Sequence, residues 1–152
     1  ARPGIIIYGP QPSDEMENKL DLQYVMRIVS HVTHVQTLHK GEAIGYGGTY
    51  VADRDMKTAT VPIGYADGYP RCLSNKGEVL IGGKRCPIIG RICMDQFMVA
   101  VDDSVKPGDE VILMGRQGEG EITLDEVAKT AGTIPHEITC DLKRIPRVFV
   151  EK

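Results

Sequence analysis

A mainly β domain, either barrel or sandwich, is what this sequence predicts, and three observations carry the prediction. Seventeen glycines and nine prolines are spread along the whole chain and punctuate it into many short segments. The runs between them are rich in Val, Ile and Thr, which suit a pleated, half-buried surface. Only one stretch carries a full set of helix signals. Taken in order, a weak helix or turn is expected over 13–20, "SDEMENKL". Strands are expected at Tyr24–Leu38, Thr58–Ile63 and Glu78–Ile81. Gly82-Gly83 then reads as a two-residue hairpin turn into Arg85–Ile89. Ile92–Val101 is the next expected strand. "VKPGDEV" (105–111) is a Pro-Gly turn leading into Glu110–Met114, and "RQGEGE" (116–121) is a loop. In "ITLDEVAKTAG", Thr123 caps a helix and Glu126 stands three residues on, the spacing of a capping box. Leu124, Val127, Ala128 and Ala131 give that helix an apolar face, and Gly132 can close it. A last strand is expected over Arg147–Val150. No internal repeat and no low-complexity tract interrupts this order.

The 152 residues fit one domain with an ordinary core. The net charge is −3 with both signs interspersed, which argues against a nucleic-acid or membrane-surface partner. No apolar run approaches the roughly 18–20 residues of a membrane span. The opening "ARPGIIIYGP" has too short an apolar run for a signal peptide. It also lacks an initiator Met, so the chain reads as a fragment or a processed product. Cys72, Cys86, Cys93 and Cys140 form no C-x-x-C pair, so no metal site is expected. Free thiols in a reducing cytosol are the preferred reading over disulfides in a secreted chain.

Several loops hold more chemistry than a plain β domain needs. "AIGYGGTY" (43–50) packs two tyrosines among three glycines. It is no phosphate loop, since it lacks the Lys and the following Ser/Thr of that motif. "PIGYADGYPR" (62–71) gathers two tyrosines, an Asp and an Arg. "GRICMDQFM" (90–98) sets Arg, Cys, Met and Asp together. Any one of these can be an ordinary turn, but their joint order is more informative.

"RPGIIIYG", "GYGGTY", "VPIGYADGY.R", "GRICMDQ", "ITLDEVA", "TI..EI.C" and "R.PR" resemble, in that order, the carboxy-terminal half of alanine racemases. The resemblance implies a Greek-key-like β-barrel domain with one or two short helices. It would be the C-terminal domain of a two-domain pyridoxal-phosphate isomerase whose (β/α)8 barrel is absent here. Residues 1–10 would be the last strand and loop of that barrel, and 11–152 the β domain. The lysine that bears the cofactor belongs to the barrel in this family, and no position here matches it.

By the same resemblance Tyr46 is the catalytic tyrosine. Its hydroxyl would exchange the substrate Cα proton on one face while the barrel lysine works on the other. A phenol has a reference pKa near 10, so such a base calls for a lowered pKa or a proton relay. Tyr50 reads as packing. Arg2 matches the arginine that hydrogen-bonds the pyridine nitrogen, and Gly4 and Ile5 match the amides that hold the phosphate. Met94 matches the position whose N–H binds the substrate carboxylate. Tyr65, Arg71, Arg91, Asp95 and Ile134 match the substrate entrance. Cys93 reads as a small buried hydrophobe. Family membership further implies a cytoplasmic homodimer with shared active sites, making D-alanine for peptidoglycan. Tyr46 would then act on the other subunit's cofactor, from an exposed polar surface rather than a closed pocket. The isolated chain is expected to be inactive.

One residue departs from the family pattern. His136 stands where the family usually has a tyrosine that touches both phosphate and substrate methyl. A smaller, differently polar group there fits a serine or broad-specificity racemase as well as an alanine racemase. A non-catalytic β module for dimerisation or binding remains the third reading.

Overall fold

The computed structural model describes residues 1–13 and 15–150. Among the described residues ten strands and two α-helices form, and the strands at 43–44, 50–51 and 120–122 have no counterpart among the expected ones. The strands are β1 (Ile28–His31), β2 (His34–Leu38), β3 (Ala43–Ile44), β4 (Tyr50–Val51), β5 (Met56–Val61), β6 (Glu78–Ile81), β7 (Lys84–Ile89), β8 (Phe97–Val101), β9 (Glu110–Gln117) and β10 (Gly120–Ile122). The helices are α1 (Leu124–Ala131) and α2 (Pro135–Asp141). The main sheet runs β1-β9-β6-β7-β8-β5-β2, with β10 on β9, while β3 and β4 make a separate hairpin. Strand β9 returns to lie beside β6 after the run β6-β7-β8, which is the Greek-key order the family resemblance implies.

The sheet's two ends are consecutive in sequence, joined only by Val32 and Thr33. The Val32 N–H donates to the Asp109 carbonyl (2.9 Å) and the Thr33 N–H to the Thr60 carbonyl (2.9 Å). At this corner the chain changes partner from β9 to β5, so the sheet curls until its edges approach. The single strand expected over Tyr24–Leu38 is therefore two strands with a corner, preceded by irregular chain over 24–27.

Inside the curl lies one large apolar cluster, with Val61, Val79, Leu80, Phe97, Val99, Ile112 and Leu113 fully buried. Tyr69 stacks on Phe97 with ring centroids 5.2 Å apart. Helix α1 covers the cluster with Leu124, Val127 and Ala128. Its cap is the expected one: the Glu126 N–H donates to Thr123 Oγ1 (3.1 Å) and Gly132 closes the other end. The Glu126 carboxylate is taken by the Arg85 guanidinium, which also binds Glu78 and the Glu121 carbonyl.

Three expectations are corrected. Residues 91–96 are a loop, and β8 begins only at Phe97. The carbonyls of Cys93 and Met94 are used by another loop rather than by a neighbouring strand. "RQGEGE" is the β9–β10 hairpin rather than a free loop. Arg147–Val150 is not a strand: Val148, Phe149 and Val150 are more than four-fifths exposed, with no strand to pair them. Over 13–20, Asp14 lies outside the described residues, and a turn and bends form among the others, the turn alternative of that expectation. The second helix is α2 instead. It begins with Pro135, whose missing N–H costs nothing at that position. Among the described residues no helix is long and apolar enough to cross a membrane.

Candidate active site

The residues that the sequence marks out fall into two neighbourhoods. The first is built on the β3–β4 hairpin. Ile44 is buried with Leu38, Ala52, Ile89 and Met98, and Tyr50 packs against them with its hydroxyl on Met56 Sδ (3.4 Å). This small cluster seats the hairpin on the ends of β2, β7 and β8. The turn between its strands, Tyr46–Gly48, then projects outward and leaves Tyr46 75% exposed. The Arg91 guanidinium lies against the Cα of Gly47, 3.1 Å from where a Cβ would stand. A permanent positive charge thus sits one residue from Tyr46.

The other marked loops converge on the same place. The N–H groups of Tyr65 and Ala66 donate to the carbonyls of Cys93 (3.1 Å) and Met94 (2.9 Å). These bonds lock the "GYADG" turn onto the "GRICMDQ" loop. Met94 is 57% exposed, and among the described residues its own N–H has no acceptor. Cys93 is buried as expected, with Sγ toward the Arg91 carbonyl (3.5 Å). Burial pushes the Cys93 thiol up and the Asp95 charge adds to that, while Arg71 and the Tyr46 amide pull it back. The Ser74 hydroxyl bonds the Arg71 turn to Ile92 of the "GRICMDQ" loop. The segments that carry Tyr46, Tyr65, Arg71, Arg91, Met94 and Asp95 are thus bonded or packed together, and all six residues are exposed.

The amino-terminal segment is the second neighbourhood. A 3-10 turn runs over Gly4–Tyr8, with Ile5 buried and Arg2 exposed. The Val25 N–H donates to the Tyr8 carbonyl (3.4 Å), and the Tyr24 hydroxyl donates to the Asp125 carboxylate at the start of α1. The amides of Gly4 and Ile5 open their turn, so neither has an acceptor within it. The space over Gly4 is open, with nothing within 4 Å of a built Cβ. Two amides without an acceptor in their turn and an always-protonated guanidinium fit a phosphate ester and a ring nitrogen. Ile134 (59% exposed) and His136 stand at the start of α2. Helix α2 reaches the first neighbourhood from its other end. The Asp141 carbonyl packs on the Cα of Gly68, and Arg144 Nη1 donates to the Ala66 carbonyl (3.4 Å).

One cleft is lined by no marked residue. That cleft, about 390 Å³, lies between the β6–β7 hairpin and the turn before β9, beside Lys84, Asp102 and Lys106.

The profile described as "Alanine racemase, C-terminal domain" matches residues 25–149. This chain belongs to that family. It is 46% identical to the alanine racemase of Halothermothrix orenii over 154 aligned positions, covering 99% of this chain and 41% of that protein. The crystal structure of alanine racemase from Bacillus anthracis with bound L-Ala-P superposes at a TM-score of 0.91 and 42% identity. The match covers 97% of this chain and 39% of that one. Alanine racemase from Bartonella henselae, solved with covalently bound pyridoxal phosphate, matches at 0.84 and 36% identity, covering 97% and 40%. The chain thus spans about two-fifths of the length of its alanine racemase relatives.

Sequence reasoning missed the residues that tie the first neighbourhood together. Ser74 Oγ accepts the Ile92 N–H (3.0 Å) and donates to the Arg71 carbonyl (2.5 Å). Asn75 Oδ1 accepts the Gly90 N–H (2.6 Å) while its Nδ2 donates to Thr49 Oγ1 (3.2 Å). The signal was present in "LSNKG", where Ser, Asn and Gly cluster as they do in turns.

Proposed function

We propose that these residues are the C-terminal part of a pyridoxal-phosphate-dependent alanine racemase that interconverts L- and D-alanine. Residues 1–10 belong with the (β/α)8 barrel of that enzyme and 11–152 form its β domain. The observation that carries the reading is the exposed Tyr46 turn, packed against Arg91 of the loop that also carries Met94, in a chain of this family.

When bound, the cofactor supplies the electron sink that makes the substrate Cα–H acidic. The chain's own residues do the rest. The Tyr46 hydroxyl takes the Cα proton from one face or returns it there, and the barrel lysine serves the opposite face. Two groups on opposite faces are what inversion at carbon requires. The Met94 N–H holds the substrate carboxylate and so fixes which face Tyr46 meets. Arg2 donates to the pyridine nitrogen without giving up its proton, which tempers the sink. The amides of Gly4 and Ile5, with His136, hold the phosphate. Tyr65, Arg71, Arg91, Asp95 and Ile134 line the way in and select for size and charge.

A head-to-tail homodimer is inferred from the family, and the 75% exposure of Tyr46 leaves its face open to another subunit. In it the Tyr46 face serves the partner's cofactor, and the Arg2–Ile5 segment serves its own. A cytoplasmic enzyme feeding D-alanine to peptidoglycan follows from this reading. The 152 residues alone, without the cofactor lysine, are expected not to racemise. His136 favours a second reading, in which the same site also accepts serine.

The test is racemisation of alanine and serine by the longest natural polypeptide containing these residues, beside its Tyr46→Phe variant. A loss of about 10²–10⁴-fold in kcat is the expected size for removing a positioned acid–base group. Equal rates in the two proteins would overturn the reading and return the domain to a binding role.

A further inference from the structure

Besides the "GYADG" turn, three loops make the Tyr46 face: the 45–49 turn, the 70–75 turn and the 90–96 loop. No strand pairing joins these segments to one another. Besides the packing of Arg91 on Gly45 and Gly47, a pair of adjacent polar residues joins them, and one has an uncommon backbone. Asn75 has φ 57°, the one left-handed non-glycine among the described residues. That conformation costs roughly 1 kcal/mol for most residues and less for Asn. A glycine would adopt it freely but would give up both side-chain bonds.

The two bonds fix the carboxamide's orientation. The Gly90 N–H is an obligate donor, so the atom facing it at 2.6 Å must be the oxygen. The nitrogen then faces Thr49 Oγ1, a hydroxyl able to accept. Gly90 in turn packs its Cα on the Ile44 carbonyl, 2.8 Å from a built Cβ, and precedes Arg91. Asn75 thus holds the far arm of the Tyr46 turn through Thr49 and the near arm through Gly90. Ser74 ties only Arg71 to Ile92, outside that turn.

We propose that Asn75 is a positioning residue for the Tyr46 hydroxyl, bracing its turn against the loop that carries Arg91 and Met94. The proposal rests on the reading of Tyr46 given above.

The decisive variant is Asn75→Gly in the longest natural polypeptide. It keeps the left-handed backbone without strain and removes both bonds. Asn75→Asp is the conservative partner, because its carboxylate accepts from both the Gly90 N–H and the Thr49 hydroxyl. For Asn75→Gly, kcat is expected to fall about 10-fold, the cost of a small misplacement of a reacting group. KM and cofactor affinity should stay within about two-fold. The Cα-deuterium isotope effect should rise for the enantiomer whose proton Tyr46 removes and not for the other. Exchange of the Gly90 amide, followed without cofactor, should quicken. Asn75→Asp should restore most of each.

A merely structural Asn75 would lower the melting temperature and cofactor content and leave both isotope effects alone. That result overturns the proposal, as does an unchanged kcat in Asn75→Gly. If Tyr46→Phe also racemises normally, the reading of Tyr46 fails and takes this inference with it. If Tyr46→Phe is inactive while Asn75→Gly is normal, only the role of Asn75 fails.

Discussion

The Tyr46 face and the Arg2–Ile5 segment are held by different kinds of interaction. Around Tyr46, polar side chains reach across to backbone groups of other loops, as Asn75 does to Gly90 and Ser74 to Ile92. The amino-terminal segment rests on one long backbone bond, the burial of Ile5 and the Tyr24–Asp125 contact. Side-chain-to-backbone bonds fix loops to within a bond length, which suits a group that must meet a reacting atom. On the proposed reading the amino-terminal segment offers amides to a phosphate and can be looser, because the anion itself gathers its donors.

The strongest way to break the contrast is to disturb close packing in one region and compare it with open backbone in the other. Gly68 has φ 97°, and a Cβ on it would overlap the Asp141 carbonyl oxygen. Gly68→Ala must move either the "GYADG" turn or α2, and should cost about 3 kcal/mol or more in urea unfolding. Gly4→Ala has φ 65° but open space around it, and should cost only about 1–2 kcal/mol. Equal costs would mean that α2 is not what fixes the turn.

A smaller effect is expected at Tyr24. Losing its bond to Asp125 in Tyr24→Phe should free the segment by about 1–2 kcal/mol, read as faster exchange of the Val25 amide. The change also has a pH signature. Burial first, then the bond to Asp125, pushes the Tyr24 phenol up to about 12. The folded state therefore keeps a proton that the unfolded chain loses near pH 10. This contribution to stability is complete below pH 10 and disappears as pH rises toward 12. Tyr24→Phe should flatten that decline without removing it, since burial also raises Tyr69. An unaltered alkaline limb would show that Tyr24 is not coupled to folding.

The smallest effect concerns His136, at the start of α2. His136→Tyr should raise the alanine-to-serine ratio of kcat/KM about 10-fold, as expected for closing space of a methylene or hydroxyl. An unchanged ratio would make His136 a neutral replacement.

Where local rules decide the backbone, the sequence was legible. Gly82-Gly83 turns β6 into β7 as two-residue hairpins do, and Thr123 with Gly132 brackets α1. Where distant partners decide it, the reading went astray. "RICMDQFMV" looks like a strand, yet its first carbonyls are claimed by Tyr65 and Ala66 from another loop. Nothing local marks Val32–Thr33 as a corner, because both residues favour strands and only Asp109 and Thr60 bend the chain there. Helix α2 has Ile134 in place of a capping side chain, so Pro135 was its only starting signal. The candidate site was legible through the order of its motifs. Asn75 was not, because its importance lies in two hydrogen bonds to residues 15 and 26 positions away.

The Val32–Thr33 corner also sets the order in which the domain can assemble. Strands β1 and β2 leave the ribosome before their partners, and β1 pairs with β9, roughly eighty residues later at His31↔Glu110. Local hairpins such as β6–β7 can form first, and the curl closes only when β9 docks. A pairing of such long sequence separation places the domain among the slower folders, in milliseconds to seconds rather than microseconds. Until then the Ile28–His31 edge is open to other chains, and a nascent molecule is most prone to aggregate in that interval.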